Sequence, residues 1–429
     1  MDPNVKVRDD PIVVKLDNAL FKSIFTPELD YLVDIFKKHN YELRIAGGAV
    51  RDLLMDKIPA DLDFATTATP VQMKAMFDAE SIRLINMNGE KHGTITPRIN
   101  DKENFECTTL RIDLVTDGRH AEVEFTKDWL LDANRRDLTI NAMFLGFDGS
   151  IYDYFFGYED LSDRRVRFVG NADTRIKEDF LRILRYFRFY GRIAKSADNH
   201  DPETLKIITD NAQGLQRVSG ERIWVELKKV LQGNFACELM LAIVDCGISK
   251  YIGLPEKPNT EKFRKLWKNR TLDKDYHPIT LLSSLLYTPE DALHLHERLK
   301  FSAYERDLSY FVTQKKDESE DLDLLMPFQQ MCLQTYGKPR DIKDYVEELL
   351  KFHNKWELFD ELKAWEVPKF PVNGTTLKQH NCPTGKILGT IINKLKEEWV
   401  RNEFRSTEEE LLKHLPKILE DLNIVDGKQ

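Results

Sequence analysis

The stretch LRIAGGAVRDLLMDKIPADLDF, residues 43–64, decides how the rest of the chain is read. Leu43–Ala46 is a short apolar run of strand type, Gly47-Gly48 ends it, and Ala49-Val50-Arg51-Asp52-Leu53-Leu54 has helical spacing. Glycines at a strand-to-helix junction let backbone N–H groups close on an anion, and the start of a helix adds a favourable dipole. Pro59 marks a turn, after which Ala60-Asp61-Leu62-Asp63-Phe64 reads as a second strand. Residues two apart on a strand share a face, so Asp61 and Asp63 are expected to point together. Their charges repel unless a cation lies between them. A phosphate cradle beside a metal-binding carboxylate pair points to nucleotide chemistry.

At 429 residues the chain is long enough for two or more domains with substantial cores. No apolar run approaches the ~20 residues that span a bilayer, so no membrane partner is expected. The start, Met1-Asp2-Pro3-Asn4, is polar and acidic, unlike a secretory signal or an Arg-rich transit peptide. Cys107, Cys237, Cys246, Cys332 and Cys382 lie far apart without C-x-x-C spacing, which argues for a reducing compartment and against zinc. The expected location is cytosol or nucleus, with an alternative upstream start able to route the protein to mitochondria. A net charge of −9 does not exclude a nucleic-acid partner, because Lys and Arg cluster in 164–192 and near the C-terminus.

Thr26-Pro27 opens a helix to about His39, and Thr69-Pro70-Val71-Gln72 has the form of a capping box for a helix through Phe77. Four β-rich runs follow, Ile82–Met87, Thr94–Ile99, Asn104–Arg111 and Ala121–Thr126, with Thr116-Asp117-Gly118-Arg119 as a joining loop. Beyond residue 128 the strand signals fade except at Ile151–Phe156, and helical patterns dominate. The clearest helix is 174–193, TRIKEDFLRILRYFRFYGRI, with Ile176, Phe180, Ile183, Leu184, Phe187 and Tyr190 on one face. Its other side carries Glu178, Asp179, Arg182, Arg185, Arg188 and Tyr186. Polar breaks at 254–277 and 314–323 and a proline-containing linker at 367–374 divide the rest, and 383–423 is amphipathic helix bearing Lys and Arg. The fold class is α+β: a head with a mixed β-sheet and flanking helices, 1–150, then an all-helical neck, 151–235, body, 236–366, and tail, 367–429.

An isolated D-x-D is most often a solvated strand edge. Directly after a glycine cradle it reads instead as a two-cation site, which takes a third carboxylate from a neighbouring strand. Glu106, Asp113, Glu122 and Glu124 are the candidates. Glu122 and Glu124 alternate with Val123 and Phe125 as on the solvent face of a strand. Glu106 stands between Phe105 and Cys107, where a charge is costly unless paired or metal-bound, and is preferred. Arg135-Arg136-Asp137 falls in a segment expected to be helical through Met143. Alone it would be a solvated turn, as Glu178-Asp179-x-x-Arg182 would be a salt-bridged surface.

Taken together the motifs resemble the class II CCA-adding tRNA nucleotidyltransferases, closely the eukaryotic ones. The matching stretches are LRIAGGAVRDLL, DLDFATTATP, GEKHGTIT, TTLRID, TDGRHAEVEF, RRDLTINAMFLG, DYFFGYEDL, EDFLRILRYFRFYGRI and SGERIWVELKKVL, over about residues 43–231, with Tyr251-Ile252-Gly253-Leu254-Pro255 a weaker landmark. The resemblance implies that Asp61 and Asp63 bind two catalytic Mg²⁺ ions and that Glu106 activates the RNA 3′-hydroxyl. It implies that Gly47, Gly48 and Arg51 hold the triphosphate, that Arg135 and Asp137 contact the ribose with Arg136 in support, and that Arg185 and Arg188 add positive charge. Asp179 and Arg182 would read the base, and the loop around Val115–Arg119 would help change preference from C to A. The substrates would be CTP, ATP and the tRNA acceptor arm, with Lys386, Lys394, Lys396 and Arg401 of the tail on phosphate.

The base-reading pair also follows from chemistry. Cytosine and adenine each set an amine donor beside an acceptor ring nitrogen, which an aspartate and an arginine complement. Uracil and guanine reverse the pattern, and mismatches of this kind cost on the order of 10⁴-fold. Three positions apart on one helix, Asp179 and Arg182 would be neighbours. A bacterial-type poly(A) polymerase shares these motifs and is the alternative enzyme. A non-catalytic tRNA-binding protein would not need Asp61, Asp63 and Glu106.

Overall fold

A computed structural model describes residues 5–85, 87–116, 121–270, 275–334 and 339–422. The joining loop expected at 116–119 falls largely outside the described residues. The chain forms two compact units, Met1–Ile252 and Gly253–Gln429.

The first unit is built on a mixed nine-stranded sheet. Its strands are β1 (Ile12–Lys15), β2 (Leu43–Ala46), β3 (Asp63–Thr66), β4 (Arg83–Ile85), β5 (Thr94–Ile99), β6 (Glu103–Asn104) and β7 (Glu106–Thr109). A separate hairpin, β8 (Arg111–Thr116) with β9 (Ala121–Phe125), comes next, and β10 (Phe144–Leu145) and β11 (Ser150–Tyr152) return to the main sheet. The order is β1-β11-β10-β2-β3-β7-β5-β4, with β6 on β5. Among the described strands only β3 and β7 run parallel to each other, and their register sets Asp63 opposite Glu106.

Local chemistry explains the helices around this sheet. Thr26 accepts from Leu29 N, Pro27 opens the Pro27–Lys38 helix, and Leu29, Leu32, Val33, Ile35 and Phe36 are buried. Both halves of the Thr69–Gln72 capping box are present on the Pro70–Ala79 helix. Phe36 meets Phe77, and Phe64 meets Phe105, edge to face beneath the sheet.

Four local expectations are corrected. Tyr186, expected on the polar side of 174–193, is buried, its ring stacked on Phe168. The Asn104–Arg111 run is divided, since β7 belongs to the main sheet and Arg111 begins the separate hairpin. The helix expected through 135–143 ends at Asn134, and only a short 3₁₀ turn, Thr139–Asn141, follows. The 174–193 helix is interrupted: Ala172–Glu178 and Arg182–Ile193 flank Asp179, which is extended at φ −150°. Packing overrides periodicity there, because the Phe180 ring lies flat against Gly214 and leaves no room for a side chain.

The second unit is helical, as expected. It includes Thr260–Lys268 inside the 254–277 stretch expected to be a break, and Ala303–Ser319, which runs into the acidic segment. Leu377, Ile391, Leu395, Trp399, Leu411 and Leu415 form a core of the last helices. Lys386, Lys394, Lys396 and Arg401 share one helix, Lys386–Arg401, on which Arg401 pairs with Glu398. No described helix is long and apolar enough to cross a membrane.

A Cβ on Gly214 would lie 2.0 Å from Phe180 Cδ1, so Gly214→Ala must expel the ring. The substitution is expected to cost about 1–3 kcal/mol, read as a lower midpoint in a thermal melt.

Candidate active site

The β2-to-helix junction keeps the form the sequence suggests. Gly47 has φ +64°, a conformation that favours glycine, and a Cβ there would stand 3.0 Å from Arg136 Nη1. The helix that follows, Gly48–Leu54, has only seven residues, so its dipole is short and anion binding falls mainly to side chains. Arg51 is the first of these. It is buried, donating Nε and Nη2 to Asp52 at 3.1 and 3.0 Å and Nη1 to Asn141 Oδ1. Burial, with Arg192 and Arg188 nearby, holds its pKa below the usual arginine range despite Asp52.

Asp61 is not on a strand. It lies in the extended lead-in, β3 begins at Asp63, and both carboxylates are exposed. The two nevertheless act on each other. Partial enclosure first, then the facing charges of Glu106 and Asp61, raise the pKa of Asp63, with Arg136 opposing. Of the other third-acid candidates, Asp113 is in β8, 3.9 Å from Arg111, and Glu124 is exposed on β9. The side chain of Glu122 lies outside the described residues.

A cleft of about 610 Å³ opens beside the carboxylates, a size suited to a small ligand such as a nucleotide. It brings together twelve of the thirteen expected site residues: Gly47, Gly48, Arg51, Asp63, Glu106, Arg135, Arg136, Asp137, Asp179, Arg182, Arg185 and Arg188. Asp61 lines a second hollow of about 640 Å³ instead, and Asp63 and Glu106 border both. Ile24, Ile58, Pro59, Ile85 and Phe105 give the second hollow an apolar part, and among the described residues no basic side chain is in its lining.

Nearly every cleft arginine is backed by an acid. Arg185 Nε donates to Asp137 at 2.6 Å, Arg188 Nη1 to both oxygens of buried Glu226 at 2.9 Å, and Arg135 and Arg136 to Asp132. Burial alone would raise Asp137, but the charge and hydrogen bond of Arg185 outweigh it and hold the carboxyl below the usual range. Beneath them Phe189 offers one ring to Arg51, Arg185 and Arg188, at 5.0, 5.4 and 4.4 Å from its centroid. Arg111, beside Arg135, is pulled down to about 10, chiefly by burial.

The pair expected to read the base, Asp179 and Arg182, sits differently from a pair on one helix. Asp179 accepts from Leu181 N at 3.1 Å and from Arg222 Nη2 at 2.6 Å. Arg182 spends Nη1 on Glu178 and the Arg175 carbonyl, and Nη2 on the Arg135 carbonyl. Its Nε and second Nη2 hydrogen are not used by these bonds. Asp132, Asn141, Phe189, Arg222 and Glu226 escaped the sequence reading. The signal available was position, since Asp132 precedes Arg135 and Arg136 by three and four residues.

The carboxylates offer hard oxygen donors of the kind Mg²⁺ takes, and their mutual repulsion is what a cation would relieve. They do not form a closed cage, as no group of three metal-type ligands is assembled among the described residues. That fits an ion completed by substrate phosphates, the usual habit of Mg²⁺.

A mixed sheet presenting carboxylates to an arginine-lined cleft defines a nucleotidyltransferase head. Residues 43–167 match the family described as "Poly A polymerase head domain", and 200–257 match "Probable RNA and SrmB- binding site of polymerase A". The chain is 50% identical over 409 residues to the human "CCA tRNA nucleotidyltransferase 1, mitochondrial", covering 94% of this chain and 93% of that one. It is 48% identical to the zebrafish (Danio rerio) protein of the same name, covering 94% of each. The fold is also that of the Bacillus stearothermophilus CCA-adding enzyme solved with CTP, at TM-score 0.71 and 23% identity over 94% of this chain and all of the other. The chain belongs to the CCA tRNA nucleotidyltransferase family.

Replacing Arg185 by Ala leaves Asp137 buried without its cation. The depressed pKa of Asp137 means the pair stabilises the fold above the usual carboxylate range and is lost as pH falls through the folded value. Arg185→Ala should therefore lower stability by about 2–3 kcal/mol near neutral pH and by progressively less under acid, as thermal melts across pH would show.

Proposed function

We infer that the protein adds C, C and A in turn to the 3′ end of tRNA, using CTP and ATP and no nucleic-acid template. What supports this reading most is the 50% identity to a CCA tRNA nucleotidyltransferase over nearly the whole chain, joined to the carboxylate-and-arginine cleft. Poly(A) addition is less supported, because the head match is shared by both activities while the full-length relatives are named for CCA.

The cleft and the second hollow suggest a division of labour across Asp63 and Glu106. The arginine-lined cleft suits the polyanionic triphosphate, whereas the hollow without basic residues suits the 3′-terminal nucleoside of the acceptor arm. In this reading Arg51, Arg185 and Arg188 take the triphosphate over the Gly47-Gly48 backbone. Arg135 and Asp137 hold the ribose, with Arg136 as support. Asp179 accepts from the base amine, and Arg182 donates to the ring nitrogen through the N–H groups not engaged by Glu178 and the carbonyls.

Asp61, Asp63 and Glu106 would hold Mg²⁺, which when bound lowers the pKa of an attacking hydroxyl and offsets charge on the departing pyrophosphate. Glu106 accepts the proton of the 3′-hydroxyl. The new bond joins that oxygen to the α-phosphorus as the bond to the β-phosphate oxygen breaks. Residues 1–150, 151–235, 236–366 and 367–429 serve as head, neck, body and tail, and Lys386, Lys394, Lys396 and Arg401 contact tRNA phosphate. The names of the vertebrate relatives support a mitochondrial form, and a cytosolic or nuclear pool is a further part of the proposal.

Incubation with tRNA lacking CCA, Mg²⁺ and CTP or ATP, singly and together, tests the reaction on a sequencing gel. Extension by CCA that needs both nucleotides, and that EDTA abolishes, is expected; an ATP-only ladder would contradict it. Asp61→Ala and Asp63→Ala should each cut turnover at least about 10³-fold while tRNA retention on filters stays unchanged. Asp179→Ala should relax discrimination against UTP and GTP, and retained selectivity would remove Asp179 from base reading.

A further inference from the structure

We propose that Asp132 is a positioning residue for nucleotide binding, a single carboxylate that sets the geometry of Arg135, Arg136 and the root of the β8–β9 hairpin together. The inference rests on the reading of Arg135 and Arg136 as nucleotide-binding groups.

The Asp132 side chain is 2% exposed and receives donors from three places. Its Oδ1 accepts from Arg135 Nε at 2.8 Å and from Arg111 N, the first residue of β8, at 3.2 Å. Its Oδ2 accepts from Arg136 Nη2 and Nε at 3.1 and 3.3 Å. The two arginines stand three and four positions after Asp132, at the end of the Trp129–Asn134 helix, so both reach back to one carboxylate. A backbone N–H from another strand meets it from the side.

The way the arginines are gripped is informative. Asp132 holds Arg135 through Nε, the inner nitrogen, which turns the two terminal nitrogens outward. Arg136 is held by Nε and Nη2, while Nη1 reaches the Asn141 carbonyl at 3.2 Å, beside Gly47. Adjacent guanidinium groups repel; Arg136 is also held by the Asn141 carbonyl and the Phe144 ring, whereas Asp132 is the described partner that fixes the Arg135 side chain beside it. The Arg135 carbonyl in turn accepts from Arg182 Nη2 at 2.9 Å. A shift at Asp132 therefore passes to the base-reading helix as well as to the ribose site. An acid serving only to stabilise the helix end would need one arginine and no contact with β8.

The test uses the full-length enzyme and two primers, tRNA lacking only the final A with ATP and tRNA ending after its first C with CTP. Asp132→Asn keeps the shape and removes the charge. It should raise KM for both nucleotides at least about tenfold while kcat stays within about threefold and KM for tRNA is unchanged, because a group that only orients binding side chains acts on ground and transition states alike. Asp132→Glu should recover part of the nucleotide affinity. In an Arg135→Ala/Arg136→Ala background, Asp132→Asn should change KM by less than about twofold, since the two side chains through which it chiefly acts are gone.

Unchanged nucleotide KM in a folded Asp132→Asn enzyme, or effects that multiply independently across that cycle, would overturn the proposal. If Asp132→Asn does not fold, Asp132→Glu carries the same cycle and the same criteria. Should Arg135→Ala/Arg136→Ala itself leave nucleotide KM unaltered, the assignment of those arginines to the nucleotide fails, and the role of Asp132 with it. That result is distinct from loss of the Asp132 effect alone.

Discussion

The parallel pairing of β3 with β7 is the constraint on which the rest depends. Main-chain hydrogen bonds fix Asp63 opposite Glu106, and the lead-in carries Asp61 to the same end. The side chains do not choose this company, because each raises the cost of the others' charge. The sheet imposes it, and the buried rows Phe64, Ala65 and Cys107 behind the acids provide the packing that holds the strands in register. A local arrangement unfavourable for stability is kept where the proposed reaction would receive a cation and a phosphate.

Around that acidic edge the cleft is a lattice of paired charges. Arg51 leans on Asp52, Arg185 on Asp137, Arg188 on Glu226, and Arg135 with Arg136 on Asp132. Buried ion pairs of this kind add little net stability, since desolvation of both partners offsets most of their attraction. Their value is geometric. An arginine held by one edge keeps its other donors in a fixed direction, and a substrate meeting it has little side-chain entropy left to remove.

The parts of this site readable from sequence were those written in short, local patterns. Gly47-Gly48 between an apolar run and a helix, Asp61 and Asp63 after a turn, and Glu106 between Phe105 and Cys107 all carry their meaning within a few residues. What escaped depends on partners remote in sequence. Ile12–Lys15 is a strand because β11 receives it, Arg111 leaves the main sheet for a separate hairpin, and Phe180 breaks a periodic helix because Gly214 lies beneath it. Nothing local in the sequence ties Glu226 to Arg188, and only the folded chain shows that Asp132 and Glu226 each back an arginine.

Compensated arginines also suit a reaction repeated three times on one substrate. A cleft of unpaired guanidinium groups would bind a triphosphate tightly and its pyrophosphate product almost as tightly, so that release would govern turnover. With Asp137, Glu226, Asp132 and Asp52 each taking part of the positive charge, the proposed triphosphate site would attract an anion with less tendency to retain it. Asp179 follows the same logic toward the base. Its bond to Arg222 keeps the carboxylate oriented, yet a carboxylate has about four acceptor positions, and the two donors found on it leave room for an amine. In the proposed reaction an incoming base would add to a bonded group instead of displacing one, and selectivity would rest on donor pattern more than on strength of binding.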